Sequence, residues 1–249
     1  MSPVRGLSRR SLRWRTAPYR ALGLASLWIV TGGCAPTATV PVQVAATLEQ
    51  HTVDASGHPL AVWEKSPSHV DATVLLLHGR TWSTVPDFDL QVPGEELSLM
   101  DGLNEAAIAA YGLDARGYGA TPRDETGWLT PDQAARDVVQ VLEWMHARAP
   151  NAPAPVLFGW SSGSMVGQLV AQRRPDLISG LVLFGYPTDP DEVRPVQEAP
   201  GVPPRTETTA QAAASDFIVE GSISQLAVQR YVEAALVADP VRMDWKDLH

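Results

Sequence analysis

The sequence predicts an α/β fold, a mostly parallel central sheet with helices on both faces, carrying a partial helical cap. Three observations predict it. Continuous apolar runs of strand length recur at residues 72–77, 106–113, 156–158 and 181–184, and runs without polar alternation belong to strands covered on both faces, as in parallel sheets. Segments of helix length with an apolar stripe fall between them, which is the β-α-β alternation of such folds. Directly after the third run stands a crowded corner, Gly159-Trp160-Ser161-Ser162-Gly163, where a strand hands over to a helix.

Taken in order, residues 45–53 and 59–65 are two strand-like runs joined by "DASGH", a hairpin signal. The run "ATVLLL" is the first buried strand and leads into His78-Gly79; residues 106–113 form the next and end at Asp114. Thr130-Pro131-Asp132-Gln133 has a capping-box pattern with proline at the first helical position. Val138, Val139, Val141, Leu142 and Met145 give the helix that follows its apolar face. A second helix is predicted from Ser162 to Arg173, halted by Pro175. From Pro187 the texture changes. Six prolines fall within eighteen residues, which reads as a long surface connection, and helical stretches follow near 210–217, 223–238 and the last ten residues. The expected domains are 45–187 for the core and 188–249 for the connection and an incomplete cap.

The net charge of −9 hides an asymmetry. Residues 1–33 carry six arginines and no acidic residue, so the remainder stands near −15. A body that acidic repels phosphate backbones, so no nucleic-acid partner is expected. The basic start is followed by a short apolar run, residues 21–30, about half the ~20 residues of a membrane span. Residues 1–33 therefore read as an export signal, against the plainer reading of a disordered basic tail, and 34–44 as a tether. Cys34 is the sole cysteine, so no internal disulfide can form. Its position after Gly33 resembles the lipobox of bacterial lipoproteins, although Thr31 stands where leucine is usual. That resemblance implies lipidation of Cys34 and a place in the cell envelope; simple cleavage and secretion is the other outcome. A membrane is expected only through that anchor.

Gly159-Trp160-Ser161-Ser162-Gly163 matches G-x-S-x-G in a strand-turn-helix context, where the central residue is held in a strained bend with its side chain projecting. The helix N-terminus that follows favours negative charge. Ser161 is thus the candidate nucleophile; the alternative is a tight turn that happens to hold serines. Together with His78-Gly79 after a strand, and Asp114-Ala115-Arg116-Gly117-Tyr118-Gly119 with Thr121 in the place of a usual serine, the chain resembles the α/β-hydrolase family over residues 45–187. The resemblance implies that the backbone N–H groups of Arg80 and Ser162 form an oxyanion hole, each such donor contributing roughly 3 kcal/mol. It implies also that His78 orients its loop, and that Asp114 and Arg116 are a structural pair. Trp82 and Trp160 would line an apolar substrate pocket, or else pack in the core.

A serine nucleophile needs a histidine and a carboxylate. The family's order is Ser, then acid, then His, yet only 88 residues follow Ser161, and five of the six histidines precede it. Three readings stand. The chain is a truncated copy whose last strands, acid and base are absent; or Asp189 (or Asp191) and His249 serve as a displaced acid and base; or the fold is kept for binding without turnover. The expected activity is hydrolysis of a small apolar ester through an acyl-enzyme. Ser161 excludes the epoxide hydrolases and haloalkane dehalogenases of this fold, which carry a carboxylate at the bend. No metal-ligand spacing and no G-x-G-x-x-G after the first strand appear, so neither metal nor cofactor is expected.

Overall fold

The structure, a computed structural model, describes residues 46–80, 82–186, 209–215, 217, 219 and 221–238. The predicted export signal, the tether with Cys34, residues 187–208, Asp189, Asp191 and His249 all lie outside the described residues.

Six strands form one sheet in the order β1-β2-β4-β3-β5-β6. β1 (Glu49–Ala55) and β2 (His58–Lys65) make an antiparallel hairpin, and β2 pairs antiparallel with β4 (Ile108–Leu113). β4, β3 (Ala72–Leu77), β5 (Val156–Trp160) and β6 (Gly180–Phe184) run parallel. The hairpin turn is tighter than the sequence predicts. Ala55 pairs with His58, leaving a two-residue loop at Ser56-Gly57 with φ of 56° and 87°, and two consecutive positive φ values match the twist of the flanking strands.

The parallel strands alternate between two cores. Leu75 and Leu77 face one side with Leu157 of β5, where they meet Val138, Val141 and Leu142 of α3 (Pro131–Arg148) and Val170 of α4 (Ser162–Arg173). Val74, Leu76 and Ala110 face the other, against Phe88 of α1 (Thr84–Phe88) and Met100 of α2 (Leu99–Glu105). Helices on both faces explain why these strands read as unbroken apolar runs. The short helices α1 and α2 are additions to the sequence reading.

Thr130 caps α3 as its spacing predicts, its side chain accepting from the Gln133 N–H, with Pro131 at the first position. The reciprocal half of the box is not made, because the Gln133 amide donates to Asp137 instead. The helices at residues 210–217 and 223–238 appear as α5 (Ala210–Ala214) and α6 (Gln225–Ala238). Together they bury Ala213, Tyr231 and Ala235 against Trp82. Among the described residues no helix is long and apolar enough to cross a membrane.

Candidate active site

The C-terminal ends of β3, β4 and β5 converge on one corner. β5 runs two residues past its predicted end, to Trp160, because Gly159 and Trp160 pair with Leu183 and Phe184 of β6. Ser161 then breaks the direction of the chain at φ 51° and ψ −116°, and α4 begins at the next residue. A side chain at positive φ crowds the backbone, so three anchors have to hold it there. The Ser161 N–H donates to the Phe184 carbonyl at 2.9 Å, and the Ser164 N–H returns to the Ser161 carbonyl at 3.0 Å. The third anchor is the close approach of glycines. A β-carbon on Gly159 would overlap the Gly163 backbone, and one on Gly163 would overlap the carbonyl oxygens of Leu77 and His78. The motif's glycines are therefore what lets the helix sit down on the strand ends.

The second loop of the corner is His78-Gly79-Arg80. His78 is buried, and its Nδ1 lies 2.7 Å from the Gly79 carbonyl while its Nε2 accepts from the Ala115 N–H at 3.0 Å. Those two partners fix the neutral tautomer with the proton on Nδ1. Burial lowers the His78 pKa below its ordinary value, outweighing the opposing pull of the Asp114 charge and the Gly79 bond. The consequence for the loop is geometric. The C=O and N–H of one trans peptide point in opposite directions, so a histidine that grips the Gly79 oxygen also aims the Arg80 N–H away from itself. Neither the Arg80 N–H nor the Ser162 N–H is spent on another described residue. Ser162 is the first residue of α4, where an N–H has no intrahelical acceptor.

The β4 loop completes the corner, with one correction. Asp114 and Arg116 do not pair. Asp114, 1% exposed, is a hub whose carboxylate accepts from Trp63 Nε1, the Thr84 N–H and the Ala120 N–H. Arg116 reaches instead across to α3, bonding Asp137 through Nε at 2.6 Å and Nη2 at 2.9 Å, and Asp124 at 3.3 Å. The carboxylate of Asp114 is filled by neutral N–H donors before any guanidinium could reach it. Thr121 fills the place of the motif's serine with the same hydroxyl, donating to the Asp114 carbonyl and accepting from the Ala61 N–H.

A cavity of about 440 Å³ opens beside this corner. Its wall includes Gly79, Arg80, Ser162 and Gly163, with Tyr118 and Trp128 from the β4–α3 loop and Met165 from α4; Ser161 itself borders Gly79 rather than the cavity. Neither Trp82 nor Trp160 is in that wall. Trp82 is buried edge-on against Tyr231 at 6.0 Å, and the Trp160 ring lies between the backbones of Gly79 and Gly185. Trp128 and Met165 were missed because nothing in a loop or a helix face marks a residue as facing a void.

Ser161 is half buried and its Oγ makes no hydrogen bond to a described residue. The other described histidines are taken up elsewhere or exposed. His51 bonds Glu64, His58 the Pro122 carbonyl, and His69 Asp71, while His146 lies exposed in the last turn of α3. Glu49, His51 and Glu64 form a cluster with metal-ligand spacing, within 4.8 Å. Glu64 there already accepts from Tyr111 at 2.6 Å and Arg148 at 3.2 Å besides pairing with His51, which accounts for the cluster as an ion-pair network.

With this geometry in place, a family model described as serine aminopeptidase, S33, matches residues 68–245. The chain belongs to that family of α/β-fold hydrolases. No curated protein matches it. Among solved structures it is similar to an epoxide hydrolase from Vigna radiata (24% identity, TM-score 0.44, covering 55% of this chain and 38% of that one). It is similar also to a predicted CIB-like hydrolase from Thermoplasma acidophilum (17%, 0.43, 55% and 62%) and to epoxide hydrolase A from Mycobacterium thermoresistibile (21%, 0.44, 55% and 39%). The chain thus spans less than two thirds of the length of each.

Proposed function

We propose that this hydrolase works as a serine hydrolase on small esters with an apolar acyl or alcohol group, with Ser161 as nucleophile. The observation that carries the reading is the backbone of Ser161, a non-glycine residue at φ 51° held between glycines at a strand-to-helix bend. Strain of that kind costs on the order of 1–3 kcal/mol and persists where the surroundings enforce it. The Ser161 oxygen would attack the acyl carbon as a base removes its proton. The carbonyl oxygen, becoming an oxyanion, would take the N–H groups of Arg80 and Ser162. Collapse would expel the alcohol and leave an acyl-serine, which water then cleaves.

The base and acid belong to stretches outside the described residues. Asp189 and His249 are the candidates within the sequence. An element packed along the edge of β6 that no described strand pairs is the other source, and the exposure of Val182, Leu183 and Phe184 on that strand supports this one. Export, with lipidation at Cys34, is part of the same proposal.

A fluorophosphonate probe on the intact protein tests the reading. Labelling that vanishes in Ser161→Ala supports it, and labelling that survives that change sinks it. Loss on His249→Ala as well would place the base at the last residue. Absence of labelling would favour the second reading, a binding protein of hydrolase fold, which the lack of any hydrogen bond to Ser161 Oγ among the described residues motivates.

A further inference from the structure

The cavity beside the corner has two chemical characters. Its lining is mostly apolar, with Val138, Met165 and Trp128 among the residues that form it. Its lining also includes three arginines, Arg80, Arg116 and Arg123, and two acidic residues, Asp124 and Asp137; of these arginines only Arg80 is exposed. The two carboxylates are both committed to Arg116, which takes Asp137 through two N–H groups and Asp124 through a third. Arg116 is in this way neutralised as a local charge, and neither carboxylate is left for Arg80.

Arg123 lies along the wall with its stem over Gly117, whose φ of 77° and missing side chain leave room for it. Arg80 is different. It is exposed, and it makes no hydrogen bond or ion pair with any described residue. The chain has 28 acidic residues against 19 basic ones and a net charge of −9. An arginine left without an acidic partner at the mouth of an apolar cavity is out of keeping with that balance. An acidic molecule repels anions at long range, so an anionic ligand needs a specific cation at its site. Guanidinium suits that task, since it stays charged and offers a fork of donors matched to a carboxylate.

We propose that the cavity accepts an amphipathic anion, an apolar body seated against Trp128 and Met165 with a carboxylate held by the Arg80 side chain. The substrate class follows: an apolar ester that carries a free carboxylate a few bonds from the reacting carbonyl. Arg80 then has two separable roles, its amide facing the oxyanion and its side chain reading the acid. This inference rests on the cavity being the substrate's site, and it narrows the proposed function from neutral esters to acidic ones.

The test uses an isosteric pair, 4-phenylbutyrate and 4-phenylbutyramide, titrated calorimetrically into the full chain and into Arg80→Gln, which keeps the backbone amide. The carboxylate is expected to bind about tenfold more tightly than the amide, the gap narrowing at high salt as screening grows. Arg80→Gln is expected to erase the preference. Equal binding of the two ligands, a preference that survives Arg80→Gln, or no binding of either overturns the proposal. Fluorophosphonate labelling of the same samples separates the two ideas. Labelling without a carboxylate preference sinks the anion site alone. A preference without labelling leaves the anion site standing and removes the hydrolytic role.

Discussion

Ser161 adopts a backbone that suits glycine better than any residue with a β-carbon. Replacing it therefore separates strain from chemistry. Ser161→Gly removes the β-carbon that crowds the bend, whereas Ser161→Ala keeps it and removes only the hydroxyl. Urea unfolding should find the glycine variant more stable than the alanine variant by about 1 kcal/mol. Equal stabilities would show that the bend stores nothing. The motif that marks this residue was legible because it needs small residues at fixed offsets, and Gly159 and Gly163 stand against backbone atoms that no side chain could displace. The partner of Asp114 was not legible. Its donors come from positions 63, 84 and 120, and no spacing in the chain reveals which of several polar groups a fold will bring to one carboxylate.

Between elements, the contact that shapes the cavity is the clamp from Arg116 in the β4–α3 loop to Asp137 on α3. Both side chains are nearly buried, at 9% and 4% exposure. Removing one partner of such a pair strands a charge in the interior. Asp137→Ala should cost about 2–3 kcal/mol, somewhat below the usual loss because Asp124 remains beside Arg116. Thermal unfolding measures it, and a loss under 0.5 kcal/mol, the level of an ordinary surface change, would mean the clamp is idle. The strands were readable because burial on both faces forces apolar runs, and α3 and α4 because their stripes and stops are regular. The helices α1 and α2 were not. They are five and seven residues long, interrupted by Pro86 and Gly102, too short for an apolar period to show.

For the molecule as a whole, His78 ties its stability to pH. Its folded pKa lies below the ordinary value of 6.5, so its contribution is complete above that value. As the pH falls below it, the unfolded chain binds a proton that the core refuses, and stability declines. Melting temperature should drop between pH 7.5 and 5, ahead of the window in which carboxylates titrate, and His78→Gln should flatten that slope from a lower starting point. An unchanged slope in the variant would assign the effect elsewhere. What sequence alone could supply at this scale was the layered plan and the corner; the acidic balance said nothing of how charge is distributed around the cavity.

β6 carries the last consequence. Val182, Leu183 and Phe184 point to both faces of the sheet and are 45%, 38% and 61% exposed, with no lysine or proline in the strand to discourage a newcomer. Among the described residues that margin is unpaired, so an extended, greasy strand laid alongside it, from this chain or another, should be held by a ladder of backbone bonds.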